Sequence, residues 1–287
     1  MQFSKELTYK EMLERLNELQ KRSQGVSVTY IGQSVFERGI PLVTLGDKSA
    51  QKSVLYVATH RATENICTSV LVNFIEEYLN AYERYAQMYQ INLRYLYKMR
   101  KIYIVPMLNP DGVEYRLKGV GEDNPIKERL LAQNGNEDFS KWSANGRGID
   151  LNGNYNVKSE GCKILRCDGE YTQSEPEIIA LTNFIKYNQT EIEGVLSFHT
   201  SGEKICYKSK DATPKRAEHI AKLISRSTGY DLTEAKGEGL GNWFIQECQR
   251  PAFTIKCGIG ESPLPANQIM PIYARLKETL FTFPILF

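Results

Sequence analysis

The feature that most constrains this chain is the succession of SVLYVAT (53–59), a segment of helical period, and KIYIVPM (101–107). Both apolar runs are short and rich in Val, Ile and Tyr, the composition of strands buried on both faces. Between them Ile66, Val70, Leu71, Phe74, Ile75 and Tyr78 recur at three- and four-residue spacing, which predicts a helix. Strand, helix, strand in that order favours a largely parallel sheet covered by helices. Upstream, Tyr9, Met12, Leu13, Leu16 and Leu19 predict an amphipathic helix over 8–22 that ends near Gly25, and VSVTYIG a short strand. The polar break GDKSAQK between IPLVTLG and SVLYVAT suits a hairpin or neighbouring strands. KIYIVPMLNPDG reads as a strand running into a Pro-Asp-Gly turn, and residues 116–175, rich in Gly, Asn and Lys, as an extended loop region. SEPEIIALTNFIKYN predicts a helix with Ser174 as N-cap and Pro176 and Glu177 in its first turn. A strand ending near His199, a helix over ATPKRAEHIAKLISRSTGY, the strand AFTIKCGIGE and a closing helix over MPIYARLKETLFTF complete the pattern. With 287 residues, no internal repeat and no low-complexity linker, the expectation is one α/β domain over 1–287. It should hold a mixed, mostly parallel sheet flanked by helices.

Composition excludes several functions. Lys and Arg total 36 against 34 Asp and Glu, so a net charge of +2 gives no reason to expect a nucleic-acid partner. No run of about 18 uninterrupted apolar residues occurs, so no membrane span is expected. The stretch MQFSKELTYKEMLERLNELQKR lacks the apolar core of a signal peptide, and the expectation is a cytoplasmic protein. Of the six cysteines, most lie in apolar segments and read as reduced core residues. Cys162 and Cys167, in GCKILRCDG, are spaced for a local bridge or a soft metal site, though no second pair accompanies them.

Chemistry-bearing residues gather where apolar strands end, the place where open α/β sheets hold ligands. His60 and Glu64 follow SVLYVAT, His199 follows GVLSF, and Lys256 lies on AFTIK. Three strand ends can therefore converge on one pocket.

Several segments together, in this order, resemble the zinc carboxypeptidase family, and within it the bacterial γ-D-glutamyl-diaminopimelate peptidases. They are IGQSVFERGIPLVTLG, ATHRATENICTS, PMLNPDGVEYR, WSANGRGIDLNGNYN, YTQSEPEIIAL, LSFHTSG, GLGNWFIQ and FTIKCGIGESPLP. The resemblance implies a zinc ion held by a His and a Glu in an H-x-x-E element and by a second His on a later strand. Its open fourth position would activate water. Glu64 matches the carboxylate ligand and His199 the later histidine, but the residue three before Glu64 is Arg61. Arginine stays protonated and offers no lone pair to a metal. His60 stands one residue earlier. It serves as a ligand only if the turn is remodelled, and otherwise it fills the place of the additional histidine that relatives often carry just before the ligand.

Two further positions depart from the family pattern. Lys256 stands where the resemblance implies a glutamate acting as general base, and losing such a base costs about 10²- to 10⁴-fold in rate. An ammonium about 5 Å from a divalent cation would also repel it by roughly 7 kcal/mol at an effective dielectric near 20. Glu261 instead matches a structural glutamate of the family. In DLNGNYN, Gly153 replaces the arginine that would grip a substrate carboxylate. Asn152 and Arg147 match positions linked to carboxylate binding and carbonyl polarisation, Arg147 being equally readable as a solvated loop residue. Asn242 stands in the segment implied to line the specificity pocket, Trp243 and Phe244 read as packing residues, and His219 as an ordinary helix histidine.

Arg61, Gly153 and Lys256 thus strike three separate tasks at one site. The leading expectation is a carboxypeptidase-fold pseudoenzyme, poor in zinc, with Arg61 and Lys256 paired against Glu64 in a cationic pocket. That pocket would take an anionic peptide such as a peptidoglycan stem fragment. The alternatives are a working zinc peptidase using His60, Glu64 and His199 through a shifted loop, and a structural interaction module. Oligomeric state is left open.

Overall fold

The computed structural model describes residues 4–157, 173–208, 213–234 and 239–287. Thr8 opens helix α1 (Tyr9–Arg22) through a reciprocal cap. Its hydroxyl accepts from the Glu11 amide, and the Glu11 carboxylate accepts from the Thr8 amide. Strands β1 (Val26–Gln33), β2 (Gly39–Leu45) and β3 (Ser53–Ala58) follow, then a 3-10 turn at Ala62–Glu64 and α2 (Ile66–Glu83). A small ribbon of β4 (Gln87–Met88) and β5 (Ile91–Asn92) leads to α3 (Leu93–Met99), β6 (Lys101–Val105), α4 (Pro110–Lys118) and α5 (Lys127–Asn134). Next come α6 (Pro176–Tyr187), β7 (Ile192–Thr200), β8 (Lys204–Cys206), α7 (Ala217–Thr228) and β9 (Asp231–Thr233). The chain closes with α8 (Gly239–Cys248), β10 (Ala252–Cys257) and α9 (Ile269–Thr282).

The main sheet runs β1-β2-β6-β3-β7-β10-β8-β9. Its centre, β6, β3, β7 and β10, is parallel, while β1, β2 and β8 join antiparallel, so the expected mixed and mostly parallel sheet is present. Every residue of β3 is buried, because the strand packs on both faces. Val54, Tyr56 and Ala58 enter a core shared with Met12 of α1, Phe74 of α2 and Leu280 of α9. Leu55 and Val57 point the other way, towards Ile178 and Leu181 of α6 and Trp243 and Phe244 of α8. Each such fully buried Val, Leu, Ile, Phe or Met side chain contributes about 1.5–3 kcal/mol relative to exposure. Cys67 and Cys257 are buried free thiols, Cys248 is a half-buried one, and Cys206 is buried as well, as the apolar settings imply. Cys162 and Cys167 lie outside the described residues. No helix among the described residues is long and apolar enough to cross a membrane.

Four local expectations are corrected. β2 and β3 are not neighbours: β6 lies between them, antiparallel to β2 and parallel to β3, because the crossover through α2 and α3 returns the chain to the edge of β3. The Pro-Asp-Gly segment does not turn but opens α4, since Asn109 accepts from the Gly112 amide and Pro110 suits the first helical position. The extended region beginning at 116 contains α5. Glu175, not Ser174, is the cap residue of α6, because the Ser174 hydroxyl donates to Glu175 Oε1 and accepts from Asn154.

Candidate functional site

The site is built at the carboxyl end of β3. Thr59, which follows that strand, adopts φ 60°, a left-handed turn rare for a β-branched residue, and its hydroxyl bonds that of Thr68 at 2.8 Å. Asn109 bridges the turn to its surroundings by donating to the carbonyls of His60 (3.0 Å) and Ala144 (3.1 Å). The reversal sends consecutive side chains to different places. His60 goes under the sheet end, Arg61 outward, and Glu64 back towards β7.

Glu64 and His199 do meet. Both are almost fully buried, and His199 Nδ1 lies 2.9 Å from Glu64 Oε2 while His199 Nε2 lies 2.9 Å from the Ser197 hydroxyl. The Thr200 amide donates to Glu64 Oε1 at 3.5 Å. His60 is entirely buried. Its Nε2 bonds the Tyr155 hydroxyl at 2.8 Å and its ring stacks on His199 with centroids 5.1 Å apart. Burial, and then the neighbouring His199 and Arg61, hold the His60 pKa well below the usual histidine value, so it is neutral at pH 7. His60 Nδ1 is buried without a hydrogen-bond partner.

Arg61 does not pair with Glu64. Its guanidinium grips Asp150, with Nε 3.2 Å from both carboxylate oxygens and a terminal nitrogen 2.6 Å from Oδ2. Asp150 is held in turn, because it caps the short turn Leu151–Gly153 by accepting from the Asn152 amide. Lys256 makes no ion pair with Glu64 either. It sits beside His199 in the parallel register of β10 and β7. The expected neutralisation of Glu64 by two cations is therefore corrected. A histidine is the hydrogen-bond partner of Glu64 instead, and Arg61 finds a carboxylate 89 positions along the chain.

Arg61, Glu64, Asn152, His199, Lys204 and Lys256 line a cleft of about 360 Å³. Asn152 is reached by the backbone of Gly239 so closely that a Cβ there would lie 2.4 Å from Asn152 Oδ1. That closeness and φ 81° both require glycine. Gly153 is exposed, and a Cβ added there meets nothing within 4 Å, so open space surrounds the position. Arg147 is placed elsewhere. Its Nε donates to buried Glu175 at 3.0 Å and it does not line the cleft. Asn242, Trp243 and Phe244 are buried in α8, Glu261 is exposed in the turn after β10, and His219 is exposed on α7.

Asp150, Tyr155 and Lys204 were not singled out by sequence reasoning. Asp150 carries a usable signal, an Asp opening a turn, whereas nothing local marks Tyr155 or Lys204 as part of a site.

A three-ligand zinc centre does not fit these side chains. Glu64 and His199 supply two donors in contact, Arg61 supplies none, and His60 packs face to face with His199. Among the described residues no group of three or more His, Cys, Asp or Glu side chains is arranged to hold a metal ion.

The fold is that of the zinc carboxypeptidases, and the sequence shows the same family. The family's sequence profile, described as zinc carboxypeptidase, matches residues 12–238, and the chain belongs to it. Among individual proteins, it is similar to γ-D-glutamyl-L-diamino acid endopeptidase 1 of Lysinibacillus sphaericus, with 31% identity over 276 residues. That match covers 92% of this chain and 69% of the relative. Human carboxypeptidase A6 is 29% identical over 200 residues, covering 67% of this chain and 42% of that protein. Among solved structures, carboxypeptidase A from Helicoverpa armigera superposes with a TM-score of 0.76 at 17% identity, over 100% of this chain and 74% of that one, a likeness of fold.

Proposed function

We propose that this chain uses the carboxypeptidase fold to bind an anionic peptide without zinc-dependent hydrolysis. The ligand class is a peptide with a γ-D-glutamyl-L-diamino acid link, such as a peptidoglycan stem fragment. The observation that carries the reading is the fate of Arg61. It stands at the metal-ligand position and is committed to Asp150 at the mouth of the cleft, while Lys256 holds a positive charge beside His199. A dication entering between Glu64 and His199 would face that ammonium with one ligand short. Similarity to the Lysinibacillus endopeptidase supports the choice of peptide.

A second reading, a working zinc peptidase using His60, Glu64 and His199, draws on one observation. His60 Nδ1 is left without a partner beside His199. Zinc stoichiometry separates the two. After zinc loading and desalting, the proposal expects far less than one zinc per chain by elemental analysis, and one tightly held zinc per chain would overturn it. The Arg61→His, Lys256→Glu double variant should gain a stoichiometric zinc that the parent does not retain.

A further inference from the structure

Lys204 and Lys256 stand directly opposite one another in the antiparallel register of β8 and β10. Register partners project from the same face of a sheet with Cβ atoms about 5 Å apart, and like charges so placed repel. Both line the cleft. Among the described residues neither ammonium makes an ion pair with a carboxylate, and the other charges nearby are engaged or peripheral. Arg61 is held by Asp150, Glu64 by His199 and the Thr200 amide, and Glu234 is exposed on the cleft wall. Asp231, the partner of Lys204 on β9, is exposed and makes no ion pair with it. The row His199, Lys256, Lys204, Asp231 across four adjacent strands thus sets two ammonium groups side by side with no ion pair to either among the described residues.

We infer that Lys204 and Lys256 form a two-ammonium subsite that selects a free carboxylate over its amide on the bound peptide, with Lys204 as the specificity-determining residue. The reason is donor and acceptor chemistry. Each ammonium offers three donors and no acceptor, so the group between them must accept on every side. A carboxylate does so and also cancels the repulsion. A primary amide carries no charge and turns an NH2 donor towards donors, leaving at least one hydrogen bond to a charged group unmade. The inference rests on the proposed peptide-binding reading and adds to it which chemical form of the peptide is accepted.

The test uses the full chain and two synthetic probes, γ-D-glutamyl-L-lysine with the glutamyl α-carboxylate free, and the same dipeptide with that group as the carboxamide. Isothermal titration calorimetry should show the free acid binding at least about tenfold tighter to the parent protein. Lys204→Met should bring the ratio close to one, and Lys204→Arg should restore it. Lys204 is exposed, so thermal melts of both variants should match the parent's, the control for folding. Equal binding of both probes to the parent, or a preference that survives Lys204→Met, overturns the subsite while leaving peptide binding intact. Failure of both probes to bind overturns the subsite and the peptide-binding reading together.

Discussion

Glu177 should make the protein less stable as pH rises through neutrality, because its carboxyl is buried among other carboxylates. It sits in the first turn of α6, fully buried, with the Val35 amide 3.4 Å from Oε1 and Asn145 Nδ2 3.3 Å from Oε2. Asp111 and Glu175 lie close by. The first is paired with Arg38 and the second with Arg147. Burial, followed by the charges of Asp111 and Glu175, outweighs the hydrogen bonds and pushes the Glu177 pKa from 4.5 up to about 7. The folded state therefore holds a proton that the unfolded state has released between pH 4.5 and 7, and unfolding free energy falls as pH rises through that window. At 1.36 kcal/mol per pKa unit, the stability present below pH 4.5 and lost above pH 7 is roughly 3 kcal/mol. Glutamine resembles the protonated form and does not titrate. Urea denaturation of the parent and Glu177→Gln at pH 5 and pH 9 should give similar stabilities at pH 5, with the variant more stable by up to about 3 kcal/mol at pH 9. Parallel pH profiles for the two proteins would refute the reasoning. Asn145, which donates to Glu175 and Glu177, also accepts from the Arg147 and Ile149 amides in the loop that leads to Asp150 and Asn152.

Two further predictions concern the cleft. Arg61→Ala should lower stability by at most about 1 kcal/mol in urea melts, because both partners of the Arg61–Asp150 pair are about a third exposed or more. A loss of several kcal/mol would show that the pair holds the turn together. Gly153→Arg should fold with a stability change within about 0.5 kcal/mol, since open space surrounds the position, and should tighten binding of a carboxylate peptide by adding a guanidinium fork beside Asn152. A misfolded variant would contradict the open geometry.

The sequence by itself determined the order of strands and helices and the positions at which this chain departs from the pattern that the resemblance implies. Strand composition and helical period are local properties, so β3, α2, β6 and β10 were legible, as were Glu64, Arg61, His199 and Lys256 at strand ends. What the tertiary structure decided is the partner of each charge. Arg61 meets Asp150 and not Glu64, Arg147 is drawn to Glu175, His60 turns beneath the sheet to Tyr155, and Lys204 comes to face Lys256. None of these pairings is encoded by spacing. Each depends on which strands the crossovers make adjacent, and on a turn at Thr59 that sends neighbouring side chains to opposite sides. The placement of β6 between β2 and β3 has the same origin, because adjacency in a parallel sheet is settled by how helices pack across its faces and leaves no mark within the strands themselves.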